Sequence, residues 1–145
     1  IINDHADVAA VTEAHGVHVG IHDLPVSEVR KTLSNNQIIG RSSHLIAEAL
    51  QADQEEADYI AVGAMYPTGS KNQPIVGGPA LLRVVKASVS PPVVAIGGIT
   101  TERIPEIVDS GADAICVISA VGLARNPMAT TQELVHTIIQ AGGRA

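Results

Sequence analysis

The chain has no tryptophan and no phenylalanine, and only two tyrosines among its 145 residues. Aromatic packing therefore cannot build its interior. Val, Ile, Leu and Ala must do so, which suits buried parallel strands covered by Ala-rich helices. The one cysteine, Cys116, excludes an internal disulfide, and its place in an apolar run reads as a small buried hydrophobe. No apolar run approaches the roughly 20 residues of a membrane span, and there is no signal-peptide pattern, so the expected location is the cytoplasm. Basic residues are in deficit, 9 against 15 acidic, for a net charge of -6. That balance argues against nucleic acid and anionic membrane as main partners. It leaves room for a small anionic substrate, because backbone N–H groups and one or two cations override net charge locally.

Hydrophobic residues make up 46% of the chain and charged residues 17%, the balance of a folded globular protein. No linker or low-complexity segment interrupts it, so residues 1–145 read as a single domain with one core. Val93-Val94-Ala95-Ile96 is an apolar run that ends in Gly97-Gly98, and Ala114-Ile115-Cys116-Val117-Ile118 ends in Ser119. The first reads as a strand buried on both faces. Paired glycines at its end leave backbone N–H groups open to an anion.

Strands start near residues 1, 17, 38, 59, 92 and 114. Helices are expected over 6–14, 25–33, 44–56, 79–87, 101–110 and 128–141. Pro25 falls in the first turn of the second helix, and Ser43 is a candidate cap for the third. Glu56-Ala57-Asp58 and Gly111-Ala112-Asp113 recur before strands. Such alternation implies right-handed βαβ units and a parallel sheet. Two architectures fit: a doubly wound open sheet, or about six of the eight units of a (β/α)8 barrel. The start at Ile1-Ile2-Asn3-Asp4, inside a strand, favours the second and leads us to expect a preceding segment.

In either architecture the ligand groups gather at the carboxyl ends of the strands. There the sequence offers Asn3 and Asp4, His22 and Asp23, Ser42 with Ser43 and His44, Thr68 with Ser70 and Lys71, Gly97-Gly98, and Ser119. Hard oxygen donors suit Mg2+, and lysine with N–H groups suits phosphate. Each piece alone has a plainer reading. Asp4 and Asp23 are also good helix caps, Lys71 is also a solvated loop cation, and Ser119 is also a turn residue. Of the six histidines, His5, His15 and His136 fall on helices and His18 reads as structural, while His22 and His44 sit at strand ends. Their spacing fits no zinc signature.

Taken together, Asn3-Asp4, Gly16-Val17-His18-Val19-Gly20 with Asp23, Gly40-Arg41-Ser42-Ser43-His44, Tyr66-Pro67-Thr68-Gly69-Ser70-Lys71, Ala95-Ile96-Gly97-Gly98-Ile99 and Val117-Ile118-Ser119-Ala120 resemble the thiamine phosphate synthase family. The resemblance covers the whole chain and the later three quarters of the family's barrel. It implies a TIM (β/α)8-type barrel with about six βα units present here. It also implies a Mg2+-dependent transferase that joins an aminopyrimidine methyl diphosphate to a thiazole phosphate and releases pyrophosphate. By this resemblance Asp4 and Asp23 are the Mg2+ ligands, and Asn3, Ser42 and Lys71 hold the diphosphate, with Ser42 and Lys71 acting on the leaving group. Thr68, Ser70, Gly98, Ile118 and Ser119 hold the thiazole phosphate. The implied partners are phosphorylated small molecules, together with either a second copy of the chain or a preceding segment to complete the barrel.

Three departures stand out. Ile21 replaces the family's Gln and His22 replaces a carboxylate beside Asp23. The Thr-x-Thr-Lys motif becomes Thr68-Gly69-Ser70-Lys71, and the family's earlier Gln-x-x-x-Lys segment is not in this sequence. The other readings are the related thiazole tautomerase, which needs no metal, and a non-catalytic barrel fragment that binds phosphate.

Overall fold

The computed structural model describes residues 1–69 and 75–144. Six strands, β1 (Ile2–Asn3), β2 (Gly16–Val19), β3 (Ile38–Ser43), β4 (Tyr59–Val62), β5 (Val93–Ile96) and β6 (Ala114–Cys116), form one sheet. All neighbours are parallel and the spatial order is the sequence order, β1 to β6. A doubly wound sheet reverses its strand order at a switch point. Here the order never reverses, so right-handed crossovers place every helix on the same face. The result is an open segment of a (β/α)8-type barrel.

The helices are α1 (Ala6–Val11), α2 (Val26–Thr32), α3 (Ile46–Gln54), α4 (Gly78–Lys86), α5 (Ile104–Asp109), α6 (Ser119–Gly122) and α7 (Pro127–Gln140), with a 3-10 turn at Thr101–Arg103 leading into α5. Val17, Val19, Ile39, Ile60, Val62, Val93 and Ala95 are buried on the outer face of the sheet. They meet Val26, Val29, Leu82, Val85, Ile104 and Ile107 from the helices in one core. Each such side chain stabilises the fold by about 1.5–3 kcal/mol relative to exposure. Aliphatic residues and alanine do fill this layer, as the lack of aromatics requires.

Two of the paired tripeptides carry the same device. Asp58 Oδ2 accepts from the Ile39 N–H at 2.7 Å and from Arg30 at 2.6 Å, while its own N–H donates to Ile39 O. Asp113 Oδ2 accepts from the Val93 N–H at 2.7 Å and from Lys86 at 2.6 Å, and its N–H donates to Val93 O. In both units a carboxylate at the foot of one strand closes the ladder to the preceding strand and ties in a cation from a covering helix.

Several expectations are corrected. Strand β5 is buried only at alternate residues, because its inner face lines the open barrel interior. Ser43 is the last residue of β3, and its hydroxyl donates to Leu45 O at 2.9 Å. The helix cap is instead the Glu48 carboxylate, which accepts from the His44 and Leu45 N–H groups. Pro25 is the N-cap of α2 rather than its first helical residue. Asp23 does not cap that helix: its Oδ2 accepts from the Gly20 N–H at 2.6 Å and closes a tight loop. Asp4 caps nothing, since His5 is the N-cap of α1 and no side chain bonds there. The expected first helix is shorter at its end, where Gln37 Nε2 donates to Ala9 O and Ala14 O, both at 2.8 Å.

Candidate active site

Side chains alternate along each strand, so the register places Asn3, His18, Gly40 and Tyr59 in one inward row across β1 to β4. Ser42, Ala61, Val94 and Ala114 form the next row toward the carboxyl ends, and Ile96 and Cys116 lie beyond it. Above these rows opens a cavity of about 120 Å³. Ser42, His44, Gly63, Ala64, Thr68, the stretch 96–99 and residues 116–119 line it. Seven of the residues singled out at strand ends or by the resemblance therefore share one wall system: Ser42, His44, Thr68, Gly97, Gly98, Ile118 and Ser119.

The glycine pair sits where the backbone packs closely. Gly98 sits at φ +65, and a Cβ there would lie 2.7 Å from Tyr66 O and 2.8 Å from Pro67 O. Only glycine lets the chain after β5 press against the chain after β4. Met65 N–H donates to Ile96 O and Tyr66 N–H to Gly97 O, both at 3.0 Å, which continues the β4–β5 ladder past the strands. Arg103 donates to Gly98 O and covers the Tyr66 ring. At the far side α6 starts at Ser119, and the first N–H groups of a helix have no partner within it. Backbone donors thus flank the cavity from two strand ends, an arrangement suited to phosphate oxygens.

Asp4 and Asp23 lie apart from that wall. Asp4 follows β1, and its N–H donates to His18 O at 2.8 Å. Asp23 lies four residues after β2 and keeps one carboxylate oxygen beyond its bond to Gly20. The two stand at the carboxyl ends of neighbouring strands. Two carboxylates fit Mg2+, which binds one or two such groups and completes its shell with water and substrate phosphate. Among the described residues no cluster of three or more His, Cys, Asp or Glu forms an all-protein metal cage. Ser70 and Lys71 lie outside the described residues.

Sequence reasoning misplaced two side chains, Cys116 and His22, and did not identify the partners of a third, His18. His18, read as structural, bonds Ser42 Oγ through Nε2 at 2.9 Å and the Tyr59 hydroxyl through Nδ1 at 3.0 Å. Its mid-strand position at the inward parity of Ser42's row was the available signal. Cys116 is half-buried on the cavity wall rather than packed away, and burial pushes its thiol up from the ordinary value. His22 lines a separate cavity of about 290 Å³ with Arg41, Glu48 and Glu55, away from the rows above. His44 does reach the site: its Nδ1 hydrogen goes to the Gly63 carbonyl at 2.6 Å.

These features define a parallel β/α-barrel protein whose strand ends open on one cavity. The family described as thiamine monophosphate synthase matches residues 1–121, and the chain belongs to that family. It is 46% identical over 144 residues to a thiamine-phosphate synthase of Shouchella clausii, covering 97% of this chain and 68% of that one. It is 42% identical to the Haloquadratum walsbyi enzyme of the same description, covering 95% of this chain and 63% of that one. In three dimensions it resembles a thiamine phosphate pyrophosphorylase from Pyrococcus furiosus, with a TM-score of 0.88, 38% identity, and coverage of 97% and 67%. The chain thus spans about two thirds of the length of these relatives. They favour the synthase, a transferase, over the tautomerase. Among the described residues no helix is long and apolar enough to cross a membrane.

Proposed function

We propose that this chain carries the main part of the catalytic site of a Mg2+-dependent thiamine-phosphate synthase. The supporting observation is that Ser42, Thr68, Gly98 and Ser119, contributed by four different strand ends, line one cavity. The substrates would be 4-amino-2-methyl-5-pyrimidinylmethyl diphosphate and thiazole phosphate. The bond from the pyrimidine methylene carbon to the diphosphate oxygen breaks, and the thiazole nitrogen forms a new bond to that carbon. Pyrophosphate leaves with the electron pair of the broken bond.

In this reading Asn3, Ser42 and Lys71 hold the diphosphate, and the Gly98 and Ser119 backbone with Thr68, Ser70 and Ile118 holds the thiazole phosphate. Asp4 and Asp23 would hold Mg2+, which when bound supplies positive charge against the diphosphate oxygens. Ser42 and Lys71 favour bond breaking because their donors meet charge that grows as the diphosphate departs. No protein nucleophile is needed. Phosphorylated small molecules of this kind point to the cytoplasm as the place of work.

Pyrophosphate release, measured with both substrates and Mg2+ in the full-length natural protein, tests this reading. Asp23→Asn should raise the Mg2+ concentration for half-maximal rate by roughly tenfold, since one carboxylate charge is lost while an acceptor for Gly20 N–H remains. Metal-independent isomerisation of a thiazole carboxylate in place of pyrophosphate release would establish the tautomerase instead.

A further inference from the structure

His18 lies between two hydroxyls, and the three side chains belong to three adjacent strands. The Tyr59 hydroxyl is 3.0 Å from Nδ1 and Ser42 Oγ is 2.9 Å from Nε2. The His18 and Tyr59 rings are stacked, with centroids 5.5 Å apart and planes at 24°. They meet across Gly40, which pairs with His18 on one side and Tyr59 on the other. A Cβ on Gly40 would fall inside the Tyr59 ring, so the approach of Tyr59 to His18 depends on glycine at that position.

We propose that Tyr59 is a positioning residue that fixes the tautomer of His18 and thereby makes the Ser42 hydroxyl a hydrogen-bond donor toward the cavity. The inference rests on the reading above, in which Ser42 meets the leaving diphosphate.

Two proton arrangements are available to this chain of groups. In the first, Tyr59 O–H donates to Nδ1, Nε2–H donates to Ser42 Oγ, and the Ser42 hydrogen turns to the cavity that Ser42 lines. In the second, every arrow reverses, and the Ser42 hydrogen is consumed on Nε2. The reversed form leaves the phenol hydrogen without an acceptor, because the only hydrogen-bond partner of the Tyr59 hydroxyl among the described residues is His18. An unmet donor in a half-buried place is costly. Burial, and secondarily Cys116, push the Tyr59 phenol up from its ordinary value, so it keeps the hydrogen it must donate. The first arrangement is the one the interior satisfies. An anion on the cavity side then meets a serine that already accepts a bond from His18 and whose hydrogen is available, as a departing phosphate requires.

Heteronuclear NMR of the histidine ring nitrogens in the full chain tests the tautomer directly. The expected spectrum shows His18 protonated on Nε2 with Nδ1 accepting. In Tyr59→Phe, which keeps the stacked ring over Gly40, the Nδ1 resonance should move to that of an unbonded ring nitrogen. In pyrophosphate-release kinetics with the full-length natural protein, Tyr59→Phe should lower kcat by about three- to tenfold, the scale of one hydrogen bond. KM for both substrates should stay within about twofold. In a Ser42→Ala background the same substitution should cost nothing further. Protonation on Nδ1 in the parent protein would overturn the proposal, as would an equal loss of kcat in both backgrounds. Absence of synthase activity would overturn the functional reading, while the NMR result would still decide the tautomer.

Discussion

The Arg103 guanidinium lies 4.2 Å from the centre of the Tyr66 ring, and the same guanidinium donates to the Gly98 carbonyl. Tyr66 in turn donates its hydroxyl to Glu106 Oε2 at 2.7 Å and its backbone N–H to Gly97 O at 3.0 Å. One cation therefore fastens the loop after β4 to the loop after β5. These loops are adjoining walls of the cavity, so Arg103 sets the shape of that cavity without lining it.

Replacing Arg103 with alanine should loosen that clamp. It removes a charged hydrogen bond to a carbonyl and a cation over an aromatic face, each on the order of 1 kcal/mol. The expected result is a rise of roughly tenfold in KM for the thiazole phosphate, with kcat and KM for the diphosphate substrate changed little. Steady-state kinetics with each substrate varied in turn provides the check. An unchanged KM would remove Arg103 from any role in shaping the proposed thiazole phosphate site.

The two tyrosines are the chain's only aromatic chromophores of their class, since tryptophan is absent. Both are held protonated in the folded state. Tyr66 is pushed up to about 12 by burial and by the Glu106 carboxylate it donates to, against an opposing effect of Arg103. Tyr59 is raised by burial and then by Cys116. A raised pKa in the folded state means stability that is present below pH ~10 and is lost as pH rises through the folded values. Phenolate absorbance should rise at higher pH in the folded protein than in the unfolded chain, which titrates near pH ~10. Folded and unfolded protein that gain phenolate absorbance over the same pH range would contradict this.

The strand and helix order was legible in the sequence because period, glycine punctuation and helix breakers act locally. The choice between barrel and doubly wound sheet was not, because it depends on which side each crossover lands. Only the unreversed order β1 to β6 decides it. One wall of the cavity was legible at Gly97-Gly98 and Ser119, because small residues at strand ends mark where the chain turns over the barrel mouth. Arg103 and Tyr59 were not, for each acts through contacts made across the sheet or between loops. The partners of His18 were not legible for the same reason: they are 24 and 41 residues away in sequence. Asp23 was half legible, since a carboxylate there was foreseen as a ligand or a helix cap, yet it bonds the Gly20 N–H.

At Gly98 the backbone and the space around it make the same demand. Alanine at φ +65 strains the backbone by about 1–2 kcal/mol. Its Cβ would also press on two carbonyl oxygens that cannot retreat without opening the β4–β5 ladder extension. Gly98→Ala should therefore destabilise the fold by at least about 2 kcal/mol and weaken thiazole phosphate binding. Gly69, where a Cβ would meet nothing, is the matched control, and Gly69→Ala should leave thermal unfolding within about a degree. Equal Tm values for the two variants would refute the close-approach argument.

Asp113 supplies the pH-dependent part of the fold's stability that this structure makes most explicit. Burial alone would raise its carboxyl, but the Lys86 hydrogen bond and charge and the Val93 N–H outweigh it, and the net shift is downward. A depressed carboxylate contributes stability above its unfolded pKa of about 4 and loses it as pH falls through the folded value. The side chain is 39% exposed, so screening limits the contribution to the order of 1 kcal/mol. Asp113→Asn should lower Tm at pH 7 by roughly 3–5 °C. The gap to the parent should close in acid, once pH falls below the folded value and both carry a neutral group. Asp109, paired with Arg83 but 80% exposed, gives the contrast: Asp109→Asn should shift Tm by under a degree at either pH. Thermal unfolding of the three proteins at the two pH values separates these outcomes. A gap for Asp113→Asn that persists in acid would mean that the Asp113 side chain acts through shape rather than through charge.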